Sequence, residues 1–302
     1  MKPKLIVILG PTASGKTDWA IKLAEKFGGE IISVDSRQIY RGMDIGTAKV
    51  FDKEDSPHHL IDIVNPEEEF TVAQYKKLAK DLIKDINQRR KLPFLVGGTG
   101  LYIQAVIDNF EIPKVLPSQA LRKKLEEKSI EELFGDLERL DPRTAETIDS
   151  KNKRRLIRAL EVKILSGVSF VSAKKIGEPI FDILQIGIEI SRERLCKRID
   201  KRVEEQIDQG LESEVKNIYD ELSKRIPEEK IWQLPSMSGI CYQEFKKYFE
   251  DKIDLAEVIK LIKLHNRQYA RRQMTWFKRD KRIHWLEKIE EADELIKEFL
   301  KR

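Results

Sequence analysis

Cysteine is scarce in this chain of 302 residues, where only Cys196 and Cys241 occur and no CxxC pair is present. This composition argues against a disulfide framework and against a cysteine zinc site, and it fits a reducing compartment. No apolar run approaches the roughly 20 residues that span a bilayer, and the first residues carry no signal-peptide pattern. We therefore expect a cytoplasmic protein that makes no membrane contact.

Net charge is also small, at +5 from 57 Lys+Arg and 52 Asp+Glu, but the basic residues are clustered. Residues 151–175 hold eight basic residues and one acid, Glu161, and residues 260–282 hold nine and one acid, Asp280. Two such segments in a nearly balanced chain predict contact with a polyanion. Two solvated helix faces are the alternative interpretation.

Short apolar runs alternate with helical patterns in the N-terminal part of the chain and return in its C-terminal part. Apolar strand patterns occupy residues 5–9, 30–34, 92–96 and 181–190, and helical patterns occupy 18–27, 72–89, 192–210 and 255–277. This alternation predicts an α/β fold with a parallel sheet. Ligands bind beyond the carboxyl ends of such strands, so we expect Gly10, Asp35 and Gly97, each just past a strand, to converge.

A phosphate-binding loop follows the first predicted strand and opens a helix, which is the context that gives the G-x-x-x-x-G-K-[ST] pattern its meaning. Its backbone and the helix N-terminus can wrap an anion, with Lys16 adding a charge and Thr17 a hydroxyl for Mg²⁺. The predicted pyrophosphate-binding residues are Gly10, Pro11, Thr12, Ala13, Ser14, Gly15, Lys16 and Thr17. The strand at 92–96 ends without the acid that P-loop NTPases use for the metal, and the loop alone does not identify the phosphate compound.

The middle of the chain, from Leu121 to about Lys175, reads as helical and is rich in Lys and Glu. We therefore predict a P-loop NTPase-like parallel sheet flanked by helices over residues 1–113 and 178–302. We also predict a helical insertion domain over residues 114–177, where the first basic segment would contact the polyanion.

Eight ordered stretches carry a family resemblance that covers nearly the whole chain. They are residues 10–17, 35–49 (DSRQIYRGMDIGTAK), 58–62 (HHLID), 97–102 (GGTGLY), 152–161 (NKRRLIRALE), 198–203, 238–244 (SGICYQE) and 267–277. Together they resemble the bacterial tRNA dimethylallyltransferases, which prenylate the adenosine beside the anticodon. Two departures, Cys241 for the family's usual Gly and Gln206 for a usual Met, put local packing in question.

The resemblance implies attack by the exocyclic N6 amine of that adenosine on dimethylallyl pyrophosphate, with release of pyrophosphate and Mg²⁺ as cofactor. Asp35 is the candidate general base, Thr99 would hold the amine or a bridging oxygen, and Arg202 would clamp the pyrophosphate. The alternatives are a structural hydrogen bond for Asp35, a helix cap for Thr99, and ion pairing of Arg194, Arg198 and Arg202 with nearby acids.

The implied partner is the anticodon loop of tRNA, which the helical insertion domain would contact. We expect the protein to be a monomer. RNA recognition favours such loops, with base contacts in the site and phosphate contacts around it. Trp276 and Phe277 are expected in the core rather than stacked on a base. The predicted tRNA-binding residues are Asp35, Ser36, Arg37, Gln38, Thr99, Arg122, Lys153, Arg154, Arg155 and Arg158, with further contacts from residues 267–282.

Three other functions remain open on the sequence. A P-loop small-molecule kinase would share the phosphate loop, and an adenylate isopentenyltransferase would prenylate a free nucleotide. A nucleotide-switched RNA-binding protein would leave Asp35 and Thr99 without a role. Two adjacent histidines, His58 and His59, make a poor zinc site, and we expect them in a loop or in the core.

Overall fold

The computed structural model describes residues 2–50, 56–110, 115, 118–172 and 177–302. The chain divides into two compact units: Met1–Ile107 with Ile180–Arg302 is unit 1, and Asp108–Pro179 is unit 2. Lys174 and Lys175 of the first basic segment and the expected boundary at residues 113 and 114 lie outside the described residues.

A six-stranded parallel sheet forms the centre of unit 1. Its strands are β1 Lys4–Leu9, β2 Gly29–Val34, β3 His58–His59, β4 Leu92–Gly97, β5 Asp182–Ile188 and β6 Ile283–Leu286, in the spatial order β3-β2-β4-β1-β5-β6. β2 and β4 are buried along their whole length, and β1 is buried beyond its first residue. Burial on both faces explains why these strands read as continuous apolar runs rather than as alternating ones.

Helices cover both faces of the sheet in unit 1, and they are the regular structure of the described residues in unit 2. They are α1 Lys16–Phe27, α2 Val72–Gln88, α3 Gly100–Ile107, α4 Gln119–Glu126, α5 Ile130–Leu140, α6 Pro142–Ala145, α7 Lys153–Ser166, α8 Arg192–Asp208, α9 Leu211–Ser223, α10 Glu228–Ile231, α11 Phe245–Phe249, α12 Leu255–Phe277 and α13 Ile289–Lys301. α2 and α3 pack on one face of the sheet, and α1 and α13 pack on the other. None of the helices in the described part of the chain combines the length and the apolar sequence needed to cross a bilayer.

The segment after β2 is held by a second cluster of helices in unit 1. Tyr40 and Met43 are buried against α9, α11 and α12. The carboxylate of Glu214 on α9 accepts hydrogen bonds from the backbone N–H groups of Asp44 (2.8 Å), Ile45 (2.6 Å) and Gly46 (3.0 Å). A segment without regular secondary structure is thereby fixed next to the end of β2.

In unit 2, a buried carboxylate on α7 links this helix to α4. Glu161 on α7 is fully buried and accepts hydrogen bonds from Arg122, Arg158 and the backbone N–H of Ser118. Burial raises the pKa of this carboxyl group, but the hydrogen bonds from Arg122, Arg158 and Ser118 outweigh burial and leave the pKa below its ordinary value. The single acid of the first basic segment therefore stays ionised as an internal ion-pair partner.

The expected α/β fold is confirmed. The four predicted strands and the four predicted helices outside the insertion agree with the structure to within about two residues, the usual uncertainty of element ends. The helices α3, α9, α10, α11 and α13 were not predicted. β3 and β6 were not predicted, because two and four residues are too short for a reliable period. Both strands lie at the edges of the sheet. The histidine pair expected in a loop or in the core forms β3 and is half-buried there.

An ion-pair network of Glu30, Arg89 and His59 lies at the β3 edge of the sheet. This network predicts that the free energy of unfolding falls at acid pH. Glu30 on β2 accepts hydrogen bonds from Arg89, at 2.9 Å for Nη2, and lies 2.7 Å from Nε2 of His59. The hydrogen bonds from Arg89 lower the pKa of Glu30 from 4.5 to about 2, with a smaller contribution from His59 and against the effect of burial. Stability from a depressed carboxyl pKa is present above the unfolded-state pKa and is lost as pH falls towards the folded-state pKa.

We therefore expect the wild-type advantage in unfolding free energy over Glu30→Gln to shrink by about 1–2 kcal/mol between pH 5 and pH 3, after allowance for screening at the half-exposed Arg89. Urea denaturation at several pH values in this window measures it. Glu298→Gln, which changes an exposed carboxylate on α13 that forms no ion pair with another described residue, is the matched control. A wild-type advantage that stays constant or grows as the pH falls would contradict the assignment.

Candidate active site

Three loops meet at the carboxyl edge of the sheet, as expected, because β2, β4 and β1 are neighbours. The P-loop follows β1, Asp35 follows β2, and Gly98 and Thr99 follow β4. The backbone N–H of Thr99 donates to Val34 O at 3.2 Å, and its hydroxyl accepts from the N–H of Ser36 at 3.2 Å. Thr99 therefore joins the β2 and β4 loops through its side chain instead of capping α3.

The P-loop has the backbone expected of an anion cradle. Gly15 adopts φ +93°, a left-handed conformation that glycine adopts without strain, immediately before α1. The ammonium of Lys16 donates to Pro11 O at 3.3 Å, across the loop. Unpaired N–H groups and the positive end of the α1 dipole are thus presented on one concave surface.

The pKa of Lys16 is shifted well below its ordinary value. Its pKa is lowered from 10.5 to about 8, chiefly by burial and then by the positive charge of Arg202, while the carboxylate of Asp35 opposes both. Lys16 is therefore mostly charged at neutral pH but close to its titration range. A dianionic ligand would favour the charged form.

Two of the four arginines on α8 reach the P-loop. Arg198 donates from Nη1 to Ser14 O at 2.8 Å, and Arg202 donates from Nη1 to Thr12 Oγ1 at 3.3 Å. Arg194 is exposed and makes no side-chain bond to another described residue. The alternative in which these arginines pair with the nearby acids is wrong, since those acids bind other cations: Asp200 binds Arg267, Glu204 binds Lys263, and Glu205 binds Lys201.

A cavity of about 280 Å³ lies between the P-loop and the Asp35 loop. Its wall carries cations and polar groups on the P-loop side and a carboxylate on the other. The lining residues are Thr12, Asp35, Ser36, Arg37, Gly46, Thr47, Arg202, Ser238, Gly239, Ile240, Cys241, Gln243, Asn266, Tyr269 and Arg272. The cavity therefore offers cations that can bind an anionic group and, in Asp35, a carboxylate that can accept a hydrogen bond or a proton.

Asp35 is half-buried and its carboxylate is fixed by a local turn. Oδ1 accepts from the N–H of Arg37 at 2.8 Å, which is the structural hydrogen bond considered as the alternative role. Oδ2 has no hydrogen-bond partner among the described residues. One oxygen thus orients the group and the second is available to a ligand.

One face of α12 closes the site, and the sequence did not reveal it. Tyr269 hydrogen-bonds with Thr99, and burial together with the Asp35 carboxylate raises the pKa of Tyr269 to about 12. Four residues further on, Gln273 accepts from the N–H of Thr12 at 2.8 Å and donates to Gly98 O at 2.9 Å. The available signal was the spacing of Tyr269 and Gln273, which are four residues apart and therefore lie on one face of the helix. Because the segment is rich in basic residues, the sequence instead indicated a surface that contacts a polyanion.

Trp276 and Phe277 end α12 and confirm the core interpretation. Phe277 is buried in the sheet core, and Trp276 packs against the same cluster. A side chain on Gly100 would lie 2.4 Å from the Trp276 ring, so the glycine permits this packing.

The predicted tRNA contacts fall into two groups. Ser36 and Arg37 line the cavity, whereas Gln38 accepts from Ser33 Oγ at 2.8 Å and donates to Thr47 O and Ala48 O. Both ends of the Gln38 amide are thus engaged inside the protein, and reading a base would require their exchange.

In unit 2, Arg122 and Arg158 bind Glu161, and Lys153 donates to Glu126 O at 2.8 Å. Arg154 and Arg155 are exposed on α7, and their side chains have no partner among the described residues. Together with Lys151, which is also exposed and has no side-chain partner in the described ranges, these two arginines are the cations of this segment most available to a polyanion.

The two departures from the family pattern contact each other. Cys241 adopts φ +78°, a conformation that favours glycine, and its side chain forms part of the cavity wall. Its Sγ lies 3.9 Å from Oε1 of Gln206, whose amide donates to Gly46 O at 3.2 Å. Burial raises the pKa of the Cys241 thiol to about 12, so it remains neutral and is no nucleophile.

The P-loop offers one candidate oxygen ligand for a metal ion, the hydroxyl of Thr17. No group of three or more His, Cys, Asp or Glu side chains suited to a metal ion occurs within the described ranges. Thr17 is half-buried at the start of α1, and its hydroxyl has no partner in the described part of the chain. This donor fits an Mg²⁺ ion whose other ligands are phosphate oxygens and water.

The parallel sheet with a P-loop between β1 and α1 defines a P-loop NTPase-like α/β protein. Residues 38–280 match the family model described as IPP transferase. A tRNA dimethylallyltransferase of Pelotomaculum thermopropionicum is 45% identical over 297 residues, which cover 96% of this chain and 92% of the relative. One of Anoxybacillus flavithermus is 41% identical over 296 residues, with 97% and 93% covered.

Solved structures agree with the sequence relatives. The tRNA isopentenylpyrophosphate transferase of Bacillus halodurans superimposes with a TM-score of 0.74 at 38% identity, covering 99% of this chain and 97% of that one. A eukaryotic dimethylallyltransferase acting on tRNA gives a TM-score of 0.76 at 31% identity, covering 90% of this chain and 69% of that one. The chain belongs to the IPP transferase family.

The lowered pKa of Lys16 predicts how anion binding depends on pH. Because the ammonium loses its proton above a pKa of about 8, we expect the affinity for inorganic pyrophosphate to fall between pH 7.5 and pH 9.5 relative to that of Lys16→Arg, whose guanidinium stays charged. Calorimetric titration of both proteins measures the ratio, in which the ionisation of pyrophosphate itself cancels. A ratio independent of pH would contradict the perturbed lysine.

Proposed function

We propose that this protein transfers a dimethylallyl group from dimethylallyl pyrophosphate to the exocyclic N6 amine of the adenosine adjacent to the anticodon on its 3′ side in tRNA. The observation that carries the proposal is the single cavity bounded by the P-loop and Arg202 on one side and by Asp35 on the other. Family membership supports the same reaction, since the curated relatives are named tRNA dimethylallyltransferase.

The reaction forms a bond between N6 and the allylic carbon and breaks the bond from that carbon to the pyrophosphate oxygen. Charge grows on the departing pyrophosphate, where Lys16, Arg202 and the P-loop N–H groups stabilise it. The free Oδ2 of Asp35 accepts the N6 proton, and Oδ1 stays fixed by Arg37. Thr99, held by Ser36 and Tyr269, supplies a hydroxyl next to Asp35 that positions the amine.

Thr17 would hold a magnesium ion together with the pyrophosphate oxygens. When bound, the ion neutralises charge on the leaving group. Lys16 and the N–H groups of the loop fix the same phosphates independently of it.

Exposed cations without acid partners support a tRNA acceptor over a free nucleotide. Arg154 and Arg155 are of this kind in unit 2. In unit 1, the basic residues 260–282 include several that are paired internally. Those that are exposed with no acid partner among the described residues are Arg271, Arg272, Lys278, Arg279 and Lys281. A free nucleotide would use none of this surface, whereas a tRNA loop requires phosphate contacts and an unstacked base.

The central test is a transfer assay with radiolabelled dimethylallyl pyrophosphate, Mg²⁺ and either unmodified tRNA or free AMP. We expect label in tRNA only, and a loss of roughly 10²–10⁴-fold in kcat for Asp35→Asn, because the amide cannot accept the proton. The KM for the prenyl donor should stay within a few-fold.

Asp220→Asn, an exposed residue on α9, is the matched control. Label in AMP alone would assign the protein to the free-nucleotide class. Consumption of ATP with no label in either acceptor would assign it to the kinases. Full activity in Asp35→Asn would refute the role of the carboxylate.

Salt dependence tests the tRNA surface separately. Each cation that contacts a phosphate contributes about one unit to the slope of log Kd against log salt. The double change Arg154→Gln with Arg155→Gln should therefore weaken tRNA binding and reduce that slope by about one to two units. The KM of the prenyl donor should not change.

Fluorescence anisotropy between 50 and 300 mM KCl is the measurement, roughly the range over which such contacts weaken most. The control is Lys22→Gln with Lys301→Gln, two exposed lysines on α1 and α13. An unchanged slope would remove these arginines from the tRNA interface.

A further inference from the structure

The residues that would bind the prenyl donor and those that would bind the acceptor lie in loops after different strands. Prenyl transfer requires the two bound substrates to be aligned. The pyrophosphate cradle follows β1, and the acceptor-side Thr99 follows β4. We propose that Gln273 is a positioning residue that fixes the P-loop against the β4 loop and so sets the distance between the two reactants. This inference rests on the proposed function and deepens it.

Gln273 makes one hydrogen bond to each loop. Its Oε1 accepts from the N–H of Thr12 at 2.8 Å, and its Nε2 donates to Gly98 O at 2.9 Å. Both partners are main-chain atoms, so the bonds constrain the path of the loops and not a side-chain rotamer. Gln273 is only 6% exposed, so water does not compete freely for either bond.

The Gln273 side chain packs closely against Gly98, with no space for a side chain at position 98. A Cβ on Gly98 would lie 2.2 Å from Nε2 of Gln273 and 3.4 Å from Gly10 O. The absence of a side chain at this position therefore allows α12 to approach both loops.

Thr12 is held from two helices. Gln273 of α12 takes its N–H, while Arg202 of α8 donates to its hydroxyl at 3.3 Å. Buried Ala270 and Phe277 anchor α12 on either side of Gln273, and Tyr269, one turn earlier, contacts Thr99. The same rigid helix thus touches the donor loop and both residues of the β4 loop.

Gln273 does not line the cavity, so its role is exerted through the loops and not by contact with a substrate. Removal of the bridge should misalign bound reactants without removing any group that binds them. Displacements of about 1 Å can reduce a rate by about 100-fold. The expected signature is therefore a loss of kcat with little change in binding.

The experiment compares Gln273→Leu and Gln273→Glu with the wild type in steady-state transfer to unmodified tRNA. Leucine removes both bonds at similar volume. Glutamate keeps an acceptor for Thr12 but places a carboxylate oxygen against Gly98 O. We expect kcat to fall about 10- to 100-fold in both, with the KM of dimethylallyl pyrophosphate and the Kd of tRNA within about threefold.

Gln185→Leu is the control for a buried glutamine that serves stability alone. Gln185 is 3% exposed and donates to Asp280 Oδ2 at 3.2 Å, away from the cavity. It should lower Tm and leave kcat unchanged below the unfolding transition. Should Gln273→Leu be unfolded at the assay temperature, the nearly isosteric Gln273→Glu carries the comparison.

The inference is overturned if both Gln273 variants keep kcat within twofold of the wild type, or if their loss lies in KM or Kd. A wild type that transfers no label to tRNA would refute the proposed function instead. The two failures are therefore distinguishable in one set of assays.

Discussion

Main-chain pairing of β2, β4 and β1 is the constraint on which the site depends. It places the ends of three strands side by side, and each end carries one part of the chemistry. The contact is close: a side chain on Gly97 would lie 2.1 Å from Val34 O. Glycine at the end of β4 therefore lets the β4 loop run against the β2 loop, where Thr99 meets Ser36.

Charge is divided across the resulting cavity. The cations lie at the P-loop: Lys16 is part of it, and Arg198 and Arg202 donate hydrogen bonds to it. Asp35 lies on the other side of the cavity, with one carboxylate oxygen bound by Arg37 and the other without a partner among the described residues. The pKa of Lys16, lowered to about 8, reflects the cost of gathering cations in a buried place. An anionic ligand would offset the repulsion between these cations, so the P-loop side of the cavity favours a pyrophosphate. The Asp35 side favours a group that can donate a proton.

The sequence predicted those parts of the fold and site that depend on local pattern. The P-loop, the strand ends and Asp35 follow from apolar runs that stop at glycine or at an acid, which is a physical consequence of parallel sheets. The α12 face was not predicted, because a helix with many arginines and lysines reads as a surface. Only the tertiary fold brings Gln273 to Gly98.

The polar contacts of individual side chains were only partly predictable from the sequence. Glu161 was counted as the one acid in a basic segment, and in the structure it binds both Arg122 and Arg158. The amide of Gln38, expected to face a base, instead holds the turn at Thr47 and Ala48. Arg158 lies three residues before Glu161 on α7, a spacing that helix geometry pairs. Arg122 is 39 residues away from Glu161, and the partners of Gln38 lie in an irregular loop, so spacing rules do not reach these contacts.

The most direct test of the account is a crystal structure with a non-reactive thiolo analogue of dimethylallyl pyrophosphate and an unmodified anticodon stem-loop. The account predicts the diphosphate on Lys16 and Arg202, and the flipped adenine with N6 about 3 Å from Oδ2 of Asp35. A diphosphate bound away from the P-loop, or an adenine beyond hydrogen-bonding reach of Asp35, would contradict it.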